Sequence, residues 1–172
     1  MKAKINLNFI LKLCAIVGVA LAFVGIFFLF GTGIHFDRYP LMNDYSYKGW
    51  DLVFNTKGHI IPELTFAFVL LILAIAGGIV SLFCHIKIKR FNQILMVSSG
   101  VVIFIASVLF FCTLQLGGYK FYQTPNLLPG LVGMPVNVAP RLGWGNAVTA
   151  SFSLLGSIGL ISNSIYQFIK TK

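Results

Sequence analysis

The sequence predicts an all-α membrane protein: one domain over residues 1–172, built as a four-transmembrane-helix bundle with both termini cytoplasmic (N-in/C-in). Three observations predict it. The chain is 58% hydrophobic and only 10% charged, whereas a soluble domain carries about 25% charged residues. Its apolar residues fall into four runs, each able to supply the roughly 20 residues of a spanning helix. Its basic residues gather on alternate connections, as topology signals do.

The first run covers about 8–30, with Lys2 and Lys4 ahead of it. Ala20-Leu21-Ala22 offers a small-x-small cleavage site, but the apolar run continues from Phe23 to Phe30. That is longer than a signal peptide requires, so the helix is expected to be retained. Leu13 stands before Cys14 with Leu11-Lys12 ahead, which does not suit a lipoprotein box. The second run covers 63–85, the third 93–116 and the fourth 144–168. Lipid offers no partners to backbone amides and carbonyls, so these runs are read as helices.

Orientation follows from charge. Lys2, Lys4, Lys12, Lys87, Lys89, Arg90, Lys170 and Lys172 share one side with no acid among them. The other side holds Arg38, Lys48, Lys57, Lys120 and Arg141 together with all four acids, Asp37, Asp44, Asp51 and Glu63. The basic excess places the termini and the turn 86–92 in the cytoplasm. Two extracytoplasmic loops remain, 31–62 and 117–143.

Loop one is rich in Tyr and Trp, including Tyr45, Tyr47 and Trp50. Such rings suit both protein contacts and the headgroup layer. Asn55-Thr56-Lys57-Gly58-His59 reads as a turn, with Trp50 to Phe54 and Ile60 to Ile61 pairing as short strands of a small cap. Loop two contains Pro125, Pro129, Pro135 and Pro140, which oppose a regular helix or a central strand. Its segment from Leu127 to Val136 is too apolar for a solvated loop and calls for cover. The candidate partner contacts are therefore Tyr45, Tyr47, Trp50, Leu128, Leu131 and Met134.

Small residues recur at helical spacing. Ala15, Gly18, Ala22 and Gly25 mark the first helix, Ala74 and Gly78 the second. Thr149, Ser153, Gly156, Ser157 and Ser164 mark the fourth, near Asn146 and Asn163. Small-xxx-small stripes let helices approach closely in lipid. The candidate packing residues are Gly18, Ala22, Gly25, Gly78, Ser153 and Gly156.

Several functions find little support. The net charge of +9 is scattered in small groups, unlike a nucleic-acid stripe, so no nucleic-acid partner is expected. Cys14, Cys84 and Cys112 lie far apart without a Cys-x-x-Cys pair, so neither a redox nor a thiolate zinc site is expected. Proton and ion paths call for ionisable groups inside helices. Here Glu63 sits at a helix mouth, Lys12 can reach the near interface, and Gln115 lies towards an outer end. His35 and His59 fall in loop one and His85 at a helix end, so haem ligation is not expected. A metal site from His35, His59 and the loop acids has no helical spacing behind it. The serines of the fourth helix have no His or Asp beside them for nucleophilic catalysis. No catalytic, cofactor or metal site is expected.

Two outer loops, the first longer, with a short basic turn and both tails inside, resemble the general plan of claudin-type tetraspan proteins. The resemblance is one of topology. The Gly-Leu-Trp and paired cysteines of that family's first loop are missing, and Gly49-Trp50 is only a fragment. No family residue or activity is carried over. The expected role is a non-enzymatic multi-pass protein of the cell membrane that contacts the lipid bilayer, and other membrane proteins or itself, as an auxiliary subunit, scaffold or adhesion-type component. The alternatives are a subunit of a transporter or an oligomeric pore lined by the polar fourth helix, and a lipid-modifying enzyme using Glu63, Asp51 or His59 with loop two as lid.

Overall fold

A computed structural model of the chain describes residues 7–36, 45–56, 60–83, 89–122 and 140–170. Among them, four helices are long and apolar enough to cross a membrane. These are α1 (Leu7–Phe27, continued by a 3-10 turn, Phe28–Phe30), α3 (Pro62–Phe83), α4 (Lys89–Phe111) and α6 (Trp144–Lys170). Two shorter helices accompany them, α2 (Gly49–Phe54) and α5 (Thr113–Tyr122). Three strands complete the order: β1 (Thr32–Phe36), β2 (Tyr45–Lys48) and β3 (Pro140–Leu142).

α6 packs most extensively, against α1 on one side and α4 on the other. α4 then packs on α3, while α1 and α3 close the ring more loosely. Neighbours run antiparallel: Gly25 faces Thr149 and Phe152, and Gly18 faces Gly156. On the other flank Ser107 meets Ala150 and Gln93 meets Ser164. The outward side chains of the long helices are mostly apolar, among them Phe23, Leu73, Phe104 and Leu155. In water such a surface would need cover; lipid solvates it.

The strands form one antiparallel sheet in the order β2-β1-β3. It stands at the end of the bundle where α1 stops and α3 and α6 begin. β1 pairs with β2 through Ile34 and Tyr47, His35 and Ser46, with an irregularity between Thr32 and Ile34. It pairs with β3 through Ile34 and Leu142, His35 and Arg141. Pro140, which cannot donate to a ladder, begins the short edge strand β3, where proline is tolerated.

A sheet is therefore present at this end, but its strands differ from those expected. Trp50 to Phe54, read as a strand, is the helix α2. Lys48 at its N-cap is extended, and Asn55 at its C-cap is left-handed with φ 58°. Asp51 in the first turn accepts from the Lys48 amide at 3.4 Å and from the Thr56 hydroxyl. A carboxylate there satisfies amides that a helix start leaves open. Ile60 and Ile61 form no strand; the Ile61 amide donates to Leu52 O at 2.9 Å instead. The Lys57–His59 part of the expected turn lies outside the described residues.

Helix also extends past residue 116. After a turn at Cys112, α5 continues through Gly117-Gly118, where loop two was expected to start. The Leu116 amide donates to Cys112 O at 3.0 Å, keeping the helical path across the turn. Glycine weakens a helix by about 1 kcal/mol relative to alanine but does not end it.

Candidate functional site

The most distinctive internal feature is a polar face on α6. Asn146, Thr149, Ser153, Ser157, Asn163 and Ser164 are all fully buried. Their spacing of three or four places most of them on one side of the helix. The Thr149 hydroxyl lies 2.8 Å from Gly25 O of α1 and 2.9 Å from Gly145 O of its own helix. Ser164 donates to Gln93 O of α4 at 3.2 Å, and Ser107 of α4 donates back to Ala150 O at 2.7 Å. The Asn146 amide donates to the Thr113 hydroxyl at 2.9 Å, which donates to Phe110 O at 2.6 Å. The Asn163 amide points at the Met96 sulfur at 3.3 Å. These bonds clasp α6 to both neighbours.

Two polar atoms on this face remain without a hydrogen-bond partner, Ser153 Oγ and Asn146 Oδ1. Asn146 Oδ1 rests against the Cα of Gly49, so closely that a side chain at Gly49 would overlap it. Beside the polar face runs the α1–α6 seam. A Cβ added to Gly156 would stand 2.6 Å from Gly18 O and 3.0 Å from the Ala22 Cβ. The two backbones are in direct contact there, which only glycine permits.

Gly18, Ala22, Gly25, Ser153 and Gly156 thus all lie buried where α1 and α6 meet the bundle interior. Gly78 lies on α3, and a Cβ there would meet Leu160 and Val19 side chains at 3.3 Å. Sequence reasoning missed the matching set, Gln93 and Ser107 on α4 and Thr113 at the start of α5. The available signal was polar residues inside an otherwise apolar run.

The cap has three faces. Ile34 and Tyr47 point to the bundle and are buried, Tyr47 at 1% exposure. The Tyr47 ring therefore fills the junction between sheet and helices. Ser46, His35 and Arg141 stand opposite one another in a cross-strand row on the outward face, with Lys48 also exposed. The third face is lateral and aromatic. Trp50 stacks on Phe30 at 4.9 Å and touches Phe54 at 4.2 Å, and both Trp50 and Phe54 meet Phe68 edge-on. Tyr45 opens β2, paired with Phe36. Leu128, Leu131 and Met134 lie outside the described residues.

Asp51 is the one buried charged side chain among the described residues. Its carboxylate accepts from the Thr56 hydroxyl and the Lys48 amide. Glu63 is exposed in the first turn of α3, Lys12 is exposed on α1, and Gln115 is exposed on α5. His35 lies on β1, whereas His59 and His85 fall outside the described residues. Among the described residues no three of His, Cys, Asp and Glu gather as a metal site would. No protein-family model matches the chain, and no curated protein is detectably similar to it.

Proposed function

We propose that this is a non-enzymatic multi-pass protein of the cell membrane, crossing the bilayer four times with both termini cytoplasmic. It acts through protein–protein contacts, as an auxiliary subunit, scaffold or adhesion-type tetraspan component. One observation carries the reading: the cap is a fixed platform with a polar outward row. Its inner side is packed on the bundle, and the Gly49 amide ties it to Gly31 O at 3.0 Å. Ser46, His35 and Arg141 then stand in register for an extracellular partner, with Lys48 beside them.

The orientation rests on the basic excess at the opposite end of the bundle. Reporter fusions at Lys87 and Lys120 are expected on opposite sides of the membrane; both on one side would refute four crossings. For the function, a photo-activatable amino acid placed at Ser46 or Arg141 in cells is expected to trap a discrete protein adduct. The same probe at the exposed Ser98 of α4 should trap mainly lipid. Lipid adducts alone from the cap positions would remove the proposal.

A second reading, a transporter subunit or oligomeric pore, is favoured by the unpaired Ser153 Oγ and Asn146 Oδ1 inside the bundle. It predicts solute flux in liposomes that Ser153→Ala or Asn146→Leu reduces. Equal flux from all three proteins would remove it.

A further inference from the structure

Helix α2 stands outside the four long helices, and its faces are inverted for an element in water. Gly49, Asp51, Leu52 and Val53 are buried. Trp50, half-buried, and Phe54, exposed, lie four apart on the other side. A solvated helix would carry polar residues there. Phe54 is 41% exposed, and Phe30, stacked on Trp50, is 56% exposed. Rings from the 3-10 turn and α2 thus make one outward apolar surface over the buried Phe68, and a patch of this kind needs cover.

Depth decides the cover. α3 has 22 residues, about 33 Å at 1.5 Å per residue, close to the roughly 30 Å of a hydrocarbon core. Phe68 lies six residues after Pro62, hence about 9 Å below the start of the helix. Phe30 closes the span of α1. The ring cluster therefore fills the outermost turns of the apolar layer, where interfacial helices sink about 5–10 Å. Below it the surface stays apolar, with exposed Phe27 one turn before Phe30 and Ile72 one turn after Phe68. Trp144, the other of the two tryptophans, opens α6 at the same end, 56% exposed and edge-on to Phe28. Tryptophans at one level around a bundle are the mark of the membrane–water boundary.

We infer that α2 is an interfacial lipid anchor, with Trp50 and Phe54 seated at the headgroup–acyl boundary of the outer leaflet. Its rigid ties make that contact matter for the cap. Ile61 N donates to Leu52 O at 2.9 Å and Thr65 Oγ1 to Val53 O at 2.5 Å, so α2 cannot rise without α3. The lipid contact thereby fixes the height at which the outward row is shown. It also assigns Trp50 to lipid and leaves partner contact to the sheet. The inference rests on the four-crossing reading, and the test separates the two.

Trp144→Phe leaves Trp50 as the sole tryptophan, and Trp50→Phe leaves Trp144. Each full-length variant is reconstituted in phosphatidylcholine vesicles brominated near the headgroup or deep in the chains. Trp144→Tyr replaces Trp144→Phe if the latter does not fold. Trp50 is expected to lose most of its emission to shallow bromolipid, less to deep bromolipid, and little to aqueous iodide. If Trp144 responds to bromolipid and Trp50 does not, the inference is overturned. Iodide quenching of Trp50 would then mean water, and protection from iodide would mean another protein or a second copy. If neither tryptophan responds to bromolipid, the bilayer placement itself fails.

Discussion

α3 and α6 are both long apolar helices, yet they join the bundle by opposite means. α3 buries mainly large or methyl-bearing apolar groups, including Leu64, Phe68, Leu71, Ile75 and Leu82. α6 buries Gly145, Asn146, Thr149, Ser153, Gly156, Ser157, Gly159, Asn163 and Ser164, with only Ala150 and Leu160 as apolar members. In water the first pattern would be the adhesive one. In lipid, tails solvate leucine as well as a neighbouring helix does, and association depends on close backbones and hydrogen bonds. The helix with the more polar buried face is then the centre of the assembly, as the packing of α6 against both α1 and α4 shows.

The strongest way to break this comparison is to charge the outward face of α3. Leu73, midway along α3, is 64% exposed. Arginine at the centre of a spanning helix costs about 2.5–3.5 kcal/mol on insertion scales. Leu73→Arg is therefore expected to cut the carbonate-resistant, membrane-integrated fraction severely. In a water-facing site the same change would be neutral or would aid solubility, so normal integration of Leu73→Arg would place this face outside lipid.

The next effect concerns the two glycines that separate the helices. Gly156 faces backbone, the Gly18 carbonyl, whereas Gly78 faces the ends of the Leu160 and Val19 side chains. Gly156→Ala is expected to push α1 from α6 and destabilise the bundle by about 1–3 kcal/mol, as overpacking does. Gly78→Ala should cost far less, because flexible side chains can yield and alanine favours helix by about 1 kcal/mol. Thermal unfolding in a mild detergent measures both. Equal effects would mean that the two seams are built alike.

Much of this contrast is legible in the residues themselves. The four long helices follow from apolar length, and Gly18, Gly25, Gly78 and Gly156 follow from small residues at helical spacing. The sheet is harder because β1 pairs with β3 across about a hundred residues, and no local pattern in Thr32–Phe36 announces Pro140–Leu142. α2 misleads for another reason. Trp, Val and Phe favour strands, and the outcome turns on Asp51 beneath the helix start and on left-handed Asn55 at its end. The half of the polar clasp on α4 and α5 hides because Ser107 and Thr113 lie within mostly apolar sequence, so only their partners on α6 give them meaning.

At the cap, α3 is held by hydrogen bonds rather than by apolar packing alone, through Thr65 and the α2 corner. Removing the carboxylate that starts α2 sharpens that exception. Asp51→Ala is expected to cost about 0.5–2 kcal/mol, the range for losing a helix cap. Asp51→Asn, which keeps an acceptor for Thr56, should cost less. Limited proteolysis of the cap reads the loss locally, and resistance equal to the unmodified chain in Asp51→Ala would show that the corner is held by Leu52 and Val53 alone.

The smallest expected effect is the most informative about α6. The Thr149 hydroxyl has one hydrogen and two carbonyls within reach, Gly25 O across the seam and Gly145 O in its own helix. Each carbonyl has a second lone pair for the helix ladder, so Thr149→Val strands no acceptor. Its cost should be close to the average of about 0.6 kcal/mol for a hydrogen bond between membrane helices. Ser107→Ala, which releases the Ala150 carbonyl on the α4 side, should cost a similar amount. Thr149 and Ala150 are adjacent, so each clasp fixes the helix segment that the other grips. Removing both should then cost less than the sum of the single losses, because the second bond is already loosened when the first is gone. A strictly additive double variant in the same unfolding assay would show that α6 is held to α1 and α4 by independent contacts.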